Sequence, residues 1–256
     1  MTLEDTVSDL SATTTIVVGA SRGLGHGIAA ALADAGAPVV AVSRNAAAFP
    51  APANGVGSIQ PQLADAGDAT VAASLLDRYE PQAVILVAGA TPHMRPLQQQ
   101  TWETFSVNWQ TDVRIAFTWL REALLKPLRP GGRVVVISSN AARNPAGSPL
   151  SGGYAGAKAT QRLITGYARD EAKRAGLGIT FTAVLPWFAP LTGVGRPAVQ
   201  AYAARAGQSV EAYLQPMDQW VTPEIAGAAV VELVQAEATA VAPEYLLTGA
   251  GLQQLP

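Results

Sequence analysis

Short runs of β-branched and aliphatic residues alternate along the chain with segments whose apolar residues recur at helical spacing. Because parallel strands are covered on both faces, they are apolar throughout, and this alternation predicts a parallel sheet with crossover helices. About seven strands are predicted, at Thr13–Val18, Pro38–Ser43, Ser58–Leu63, Gln82–Val87, Arg133–Ser138, Ile179–Leu185 and Glu244–Leu247. We therefore expect an α/β fold with a doubly wound sheet and helices on both faces.

The alternation of strands and helices continues through the whole chain without a break in composition. Residues 188–221 carry no strand signal and only a short predicted helix near 198–206, and a long excursion of this kind is usually a lid or binding segment. Thr222-Pro223-Glu224 then begins the last helix, which is predicted to run to about residue 238. We expect a single domain over residues 1–256, with 188–221 as its substrate lid.

The first predicted strand runs directly into a glycine-rich turn, which a helical segment follows. Glycines let the backbone turn sharply and approach a pyrophosphate, while a helix N-terminus offers free N–H groups and a positive dipole end. The spacing is G-x-x-x-G-x-G and differs from the general G-x-G-x-x-G fingerprint, so a tight turn without a ligand is the alternative. The strand before it and the helix after it favour a Rossmann-type cofactor loop made of Gly19, Ser21, Arg22, Gly23, Leu24 and Gly25.

The second strand ends in Ser43-Arg44, at the position where an acidic residue would bind the ribose 2′-hydroxyl of NAD. An arginine there, with Arg22 on the same side, suits a 2′-phosphate through charge-assisted hydrogen bonds. We therefore expect NADP, bound in part by Ser43 and Arg44. The alternative is that Arg44 is only a solvated loop residue.

Tyr154 and Lys158 stand four residues apart near the start of a long helical segment. Side chains at this spacing lie on one face of a helix. A nearby ammonium favours the phenolate and lowers the pKa of the tyrosine toward the working pH, which makes a proton donor suited to an alkoxide as it forms. Any long helix can carry such a pair by chance, so a surface tyrosine and a surface lysine remain the alternative for the pair taken alone.

The composition argues against several classes of function. The net charge is −2 and no Lys/Arg cluster with interleaved aromatics is present, which argues against nucleic acid. With no cysteine and only His26 and His93, thiol chemistry is excluded and a metal site is not expected. The acidic N-terminus is not a signal peptide and no apolar run reaches about 18 residues, so we expect a cytoplasmic protein without membrane contact.

Five motifs occur in the order, and near the spacing, that is typical of short-chain dehydrogenases/reductases. They are the glycine turn, Ala88-Gly89 after the fourth strand, Asn108 in the long helix, Ser139 after the fifth strand, and Tyr154 with Lys158. Each motif is modest alone, but all five in order are specific. Over nearly its whole length the chain resembles this family, in particular its NADP-preferring ketone or aldehyde reductases.

The resemblance implies hydride transfer between a nicotinamide and the carbonyl or secondary alcohol of a small molecule. Tyr154 would be the general acid in reduction and the base in the reverse reaction. Lys158 would bind the nicotinamide ribose and lower the pKa of Tyr154. Ser139 would donate a hydrogen bond to the substrate oxygen as charge develops on it, and Asn108 would hold a water that links Lys158 to solvent.

The resemblance also implies further contacts, and in places the sequence departs from the family pattern. The residues before Ala88 are Leu86 and Val87 in place of asparagines, and Pro186 is followed by Trp187 in place of glycine. Further cofactor contacts are expected from Gln62, Leu63, Ala88, Gly89, Pro186 and Thr192. Substrate contacts are expected from Ser139, Tyr154, His93, Asn140 and Trp187, with a solvent-facing loop position as the alternative for His93 and a core position for Trp187.

The family usually forms dimers or tetramers, and the charge-poor segment 222–238 is typical of a helix buried against another subunit. We therefore expect a homo-oligomer that acts on a small molecule. The alternative function is a catalytically silent dinucleotide-binding sensor or partner-binding protein on the same fold, and an epimerase or dehydratase is a lesser option. The intact Ser139, Tyr154 and Lys158 set argues against the silent protein, which has no need of a proton donor.

Overall fold

The computed structural model of the chain describes residues 10–53, 55–143, 148–217 and 219–256. These residues form an eight-stranded sheet in the order β3-β2-β1-β4-β5-β6-β7-β8. Neighbouring strands are parallel throughout, except that β8 runs antiparallel to β7. The strands are β1 (Thr15–Val18), β2 (Pro38–Ser43), β3 (Ser58–Leu63), β4 (Ala83–Leu86), β5 (Arg133–Ile137), β6 (Thr180–Pro186), β7 (Glu244–Thr248) and β8 (Gly251–Gln254).

Helices cover both faces of this sheet, so the predicted α/β fold is confirmed. Short 3-10 turns lie at Leu97–Gln99, Asn140–Ala142 and Ala238–Ala240. The helices are α1 (Gly23–Asp34), α2 (Ala69–Tyr79), α3 (Trp102–Asn108), α4 (Arg114–Leu125), α5 (Gly152–Arg174), α6 (Gly195–Arg205), α7 (Val210–Leu214) and α8 (Pro223–Gln235). No helix in the described part of the chain is both long enough and apolar enough to cross a bilayer.

Two apolar layers lie on opposite faces of the sheet, because successive strand residues point to opposite sides. In β1, Val17 belongs to the layer under α1 and α8, while Ile16 and Val18 belong to the layer under α2, α4 and α5. Trp119 of α4 is fully buried in the second layer, and its indole N–H donates to the Ala66 carbonyl at 3.0 Å. The core therefore holds the strand ends in fixed positions, and the site is built on those ends.

The apolar helix α8 packs against α1 of the same chain. A Cβ at Gly27 would lie 2.4 Å from the Pro223 carbonyl oxygen, and one at Gly227 would lie 2.6 Å from the Ala31 Cβ. Only glycine allows the two helix backbones to approach this closely. Within one chain, α1 already covers an apolar face of α8, so the low charge of segment 222–238 has an explanation that needs no second subunit.

Two local features differ from the sequence prediction. The helix predicted from Trp102 to Leu125 contains a π turn at Trp109–Val113, between α3 and α4. The chain also ends in β8, which pairs with β7 through a hairpin turn at Thr248–Gly251. Neither feature has an apolar pattern of its own in the sequence. The π turn depends on its packing, and β8 depends on the free edge that β7 offers.

Candidate active site

A cleft of about 600 Å³ opens at the carboxyl edge of the sheet. The strand order reverses between β1 and β4, and the crevice beside such a reversal is where open α/β sheets bind ligands. The cleft walls come from the turns after β1, β2, β4, β5 and β6, together with parts of α5 and α6. Residues that lie far apart in the sequence therefore face one space.

The glycine turn is closed so tightly that side chains do not fit. Gly19 has a φ of +96°, and a Cβ there would lie 2.5 Å from the Ala88 nitrogen. A Cβ at Gly25 would lie 2.1 Å from the Gly19 carbonyl oxygen. Helix α1 begins within this turn, at Gly23, and within the described residues no side chain caps its first turn. An uncapped helix N-terminus with bare backbone facing a cleft fits a phosphate group.

Two guanidinium groups line the cleft, and that of Arg22 lies beside Gly193, since a Cβ there would be 3.8 Å from its central carbon. Arg22 precedes α1, Arg44 follows β2, and both are exposed side chains that line the cleft. The Ser43 hydroxyl, by contrast, donates to the Asn45 carbonyl at 2.6 Å and helps to shape this turn. The glycine cradle and the two cations together fit a phosphorylated dinucleotide, with Arg22 and Arg44 able to pair with a further phosphate.

Ser139 and Tyr154 also line the cleft, as do Asn140 and Trp187. The two adjacent serines at the end of β5 have different contacts. The Ser138 hydroxyl donates to the Lys158 carbonyl at 2.8 Å and ties α5 to the strand end. The Ser139 hydroxyl accepts a hydrogen bond from the Ala141 N–H at 3.2 Å and lies in the cleft wall. Both serines line the cleft, but the Ser138 hydroxyl donates within the protein, whereas the Ser139 hydroxyl keeps its own hydrogen for a bound molecule.

Lys158 is buried beside Tyr154, and its ammonium lies 5.6 Å from the centroid of the tyrosine ring. The ammonium forms an ion pair with Asp112 at 3.2 Å and donates to the Gln161 side-chain oxygen at 2.9 Å. Burial alone lowers the pKa of Lys158, but the negative charges of Asp112 and Tyr154 and the hydrogen bond to Asp112 raise it by more. The net pKa of Lys158 is raised, so the buried lysine is held in its charged form.

Asp112 lies in the π turn and is fully buried. Its Oδ1 accepts hydrogen bonds from the Ala90 backbone N–H at 2.8 Å and from the Asn108 side chain at 3.3 Å. Asn108 also donates to the Ala90 carbonyl at 2.7 Å, so it contacts Asp112 and the turn after β4 and reaches Lys158 through Asp112. A Cβ at Gly89 would lie 2.7 Å from Asp112 Oδ2, so the glycine after β4 makes room for this carboxylate.

Sequence reasoning missed Asp112 and Gln161. Their spacing does contain a signal, because Asp112 follows Asn108 by four residues and Gln161 follows Lys158 by three, which puts each beside its partner on a helix face. An acid and an amide at such positions are nevertheless usually solvated, and nothing in the sequence shows that these two are buried. Only the packing of the π turn against α5 brings the four side chains together.

Most of the remaining predicted site residues line the cleft, and three lie outside its walls. Gly23, Leu24, Ala88, Pro186 and Thr192 line the cleft, as does Ser21. The Thr192 hydroxyl caps α6 by accepting from the Gly195 N–H at 3.0 Å. Gln62, Leu63 and His93 lie outside the cleft walls, where Ala64, Asp65, Pro92 and Met94 stand in the neighbouring positions.

The excursion at 188–217 contributes side chains to the cleft that the sequence analysis did not assign. Tyr202 of α6, Tyr213 of α7 and Met217 line the cleft. The Tyr202 hydroxyl lies 3.1 Å from the Ser151 hydroxyl, which joins α6 to the start of α5. Burial, and to a lesser extent the neighbouring Tyr202, raise the pKa of Tyr213. Met94 and Trp187 line the same cleft, so aromatic and thioether side chains make up part of its lining.

Comparison with known proteins gives a consistent set of relatives. A family model described as short chain dehydrogenase matches residues 13–203. The hydroxynaphthalene reductase-like protein Arp2 of Metarhizium majus is 31% identical over 199 residues, which cover 72% of this chain and 70% of that protein. An uncharacterized oxidoreductase of Mycobacterium tuberculosis is 34% identical over 134 residues, or 48% of this chain and 49% of that protein.

Solved structures share the fold. A short chain dehydrogenase from Mycobacterium avium matches with a TM-score of 0.74 at 22% identity, covering 97% of this chain and 87% of its own. A dehydrogenase/reductase from Sinorhizobium meliloti 1021 matches with a TM-score of 0.69 at 25% identity, covering 91% of each chain.

Within the described residues, no group of three or more His, Cys, Asp or Glu side chains is arranged to hold a metal ion.

The buried ion pair predicts a specific pH dependence of stability. Because the pKa of Lys158 is raised above its ordinary 10.5, the pair's contribution is complete below that pH and is lost as the pH rises through the folded-state pKa. Lys158→Met leaves Asp112 buried without its partner and should lower the free energy of unfolding by about 3–5 kcal/mol near pH 8. Urea unfolding at a series of pH values should show this difference narrowing above pH 10.5. Lys173→Met, at an exposed lysine of the same helix, is the control, and its free energy of unfolding should differ little from that of the native chain at every pH. If the difference in free energy of unfolding between Lys158→Met and the native chain stays constant up to pH 11, the ion pair is not the source of this stability.

Proposed function

The chain belongs to the short-chain dehydrogenase family, and on that premise we propose that it transfers a hydride between NADP and the carbonyl or secondary alcohol of a small molecule. The observation that carries this proposal is the composition of the cleft. The glycine turn, Arg22 and Arg44 line the same cleft as Ser139, Tyr154 and Lys158. A site that only bound a dinucleotide would have no use for a phenol beside a buried ammonium.

The bound cofactor would supply the hydride, and the protein would supply position and a proton. Tyr154 would hold the proton that the substrate oxygen takes up in reduction and would accept it in the reverse direction. The positive charge of Lys158 would stabilise the phenolate that remains. The Ser139 hydroxyl would donate to the same substrate oxygen and stabilise the charge that develops on it.

The cofactor would be held mainly by backbone and by cations. The glycine turn and the start of α1 would bind the pyrophosphate. Arg44 and Arg22 would pair with the 2′-phosphate, which is the basis for preferring NADP over NAD. Thr192 and Pro186 would lie beside the nicotinamide end, with Lys158 donating to its ribose.

We further propose that the substrate carbonyl is carried on an aromatic ring system. Aromatic and thioether side chains line the cleft, namely Trp187, Tyr202, Tyr213, Met94 and Met217. Flat rings and thioethers favour contact with aromatic ligands through stacking and sulfur–aromatic contacts. The name of the Metarhizium relative, a hydroxynaphthalene reductase-like protein, points to the same class of ligand.

The segment 188–221 is proposed as the lid of this pocket, within one domain that spans residues 1–256.

A homo-oligomer is proposed from the exposed surface of α4 and α5. Phe117 of α4 is 57% exposed, and Leu163 and Tyr167 of α5 are 72% and 65% exposed, although α4 and α5 pack side by side. Apolar side chains gathered on two adjacent helices favour contact with a second copy of the chain.

Replacement of Tyr154 by phenylalanine tests the chemistry. Tyr154→Phe removes the proton donor and keeps the ring, so turnover should fall by about 10²- to 10⁴-fold while NADPH binding is retained. Turnover is measured by nicotinamide absorbance and binding by NADPH fluorescence. Tyr167→Phe, at an exposed tyrosine of the same helix, is the matched control. Unchanged turnover in Tyr154→Phe would defeat the proposed mechanism, and turnover absent from the native chain as well would favour a silent binding protein.

Replacement of Arg44 by alanine tests the cofactor preference. Arg44→Ala removes a charge-assisted contact to the 2′-phosphate, so the Kd for NADPH should rise by about 10- to 100-fold while that for NADH changes little. Titration of each cofactor, followed by fluorescence, gives both constants. Arg174→Ala, at an exposed arginine at the end of α5, controls for the loss of one positive charge. Equal losses for NADPH and NADH would remove the reason for choosing NADP.

A substrate panel tests the aromatic pocket. Bicyclic aromatic ketones should show a higher kcat/KM than aliphatic ketones of equal carbon number. Trp187→Ala should reduce this advantage by about 10-fold, since one lost apolar contact in a pocket is worth about 1–3 kcal/mol. Progress is followed by NADPH absorbance with each ketone. Equal kcat/KM values for the aromatic and aliphatic sets would refute the substrate class and leave the hydride transfer untouched.

A further inference from the structure

The ammonium of Lys158 is held by more groups than the proposed reaction requires. A lysine ammonium has three N–H donors. One points to Gln161 and a second faces Asp112, at 2.9 Å and 3.2 Å respectively. One donor is left for the cleft, where a ribose hydroxyl or the phenol of Tyr154 would take it. The two protein partners therefore determine which way the third N–H points.

Asp112 is in turn fixed from three directions. Its Oδ1 accepts from the Ala90 backbone and from Asn108, and its backbone carbonyl accepts from the Gln161 side chain at 2.9 Å. Its Oδ2 lies 3.2 Å from the Lys158 ammonium, and this ion pair is its main interaction. A carboxylate bonded in this way cannot swing out to solvent without breaking the packing of α5 on the π turn.

The surroundings supply few other charges that act on Lys158. Tyr154, on α5 itself, is the second titratable group that acts on it. The carboxyl ends of β4, β5 and β6 and the turn at Asn140–Ala142 carry no ionisable side chain. Glu103 of α3 is exposed, and Arg114 of α4 lies beside Gly67, on another part of the helix surface. Asp112 is therefore the carboxylate that neutralises the buried ammonium of Lys158.

We propose that Asp112 is a positioning residue, which keeps Lys158 charged and aims its remaining N–H into the cleft. Asn108 contributes by bonding to Asp112 and Ala90, so its side chain acts on the lysine through the carboxylate. The π turn is what makes this possible, because it places Asp112 against Gly89 and Gln161 at once; π turns inside α-helices are often found at functional sites. The catalytic part of this inference rests on the proposed function, and the electrostatic part does not.

Asp112→Asn tests the proposal in the cofactor-free protein. The substitution keeps the shape and removes the charge, so burial then lowers the pKa of Lys158 below its unfolded value. Between those two pKa values the unfolded state binds one more proton than the folded state, so the folding equilibrium constant should rise by about tenfold per pH unit. The native chain should show no such rise from Lys158. Glu122→Gln, at a buried glutamate of α4 paired with Arg121, is the matched control and should follow the native chain.

NADPH binding and turnover provide the second readout. In Asp112→Asn, the Kd for NADPH, measured by fluorescence, should rise about tenfold as the pH rises through the lowered pKa of Lys158. The kcat should fall over the same pH range, while the native chain and Glu122→Gln keep both. Stability and binding profiles of Asp112→Asn that run parallel to those of Glu122→Gln would overturn the proposal.

Two further outcomes also test the proposal: a failure of Asp112→Asn to fold, and an absence of ketone reduction by the native chain. If Asp112→Asn does not fold, the double variant with Lys158→Met, which removes both charges, should fold again, because the cost lies in the unpaired ammonium. A double variant that also fails to fold would overturn the proposal. If the native chain reduces no ketone but the stability profile of Asp112→Asn rises with pH as expected, the proposed function fails and the assignment of Asp112 as the partner of Lys158 stands.

Discussion

The buried contact between Lys158 and Asp112 is the interaction on which the arrangement of the cleft depends. Removing two charges from water costs several kcal/mol for each ion, and their attraction compensates only when further hydrogen bonds satisfy both groups. Here Gln161 accepts from the lysine, Asn108 and Ala90 donate to Oδ1 of the carboxylate, and its Oδ2 faces the ammonium. The pair therefore joins α5, the π turn and the end of β4, and these elements must fold together for any of the contacts to form.

Small residues make this junction possible. Gly89 leaves room for the Asp112 carboxylate, and Gly19 lets the turn after β1 lie against Ala88. A Cβ at Gly153 would lie 2.1 Å from the Phe105 carbonyl oxygen, so the start of α5 touches α3 directly. Because Tyr154 is the next residue, the position of its phenol follows from this backbone contact. The abundance of glycine in the motifs reflects close approaches within the protein as well as contacts with a ligand.

Exposed and buried charges act differently in the cleft. Arg22 and Arg44 are exposed, so their attraction for a phosphate acts through water and weakens as salt is added. Lys158 and Asp112 are buried, and their interaction is much less screened. The exposed cations can attract an anion through water, whereas the buried pair keeps a constant electrostatic environment around Lys158.

The sequence by itself determined the parallel sheet, the glycine turn and the pairing of Tyr154 with Lys158, because apolar runs and helical spacing are local properties of the chain. It did not show the π turn, the pairing of β8 with β7 or the cover that α1 provides for α8. Asp112 illustrates the reason. At the level of sequence it is one acidic residue on a helix, and only contacts from α5 and from the turn after β4 bury it and give it a single partner. Burial and charge pairing between distant segments are decided by tertiary packing, and in this protein they decide how the lysine of the candidate site is held.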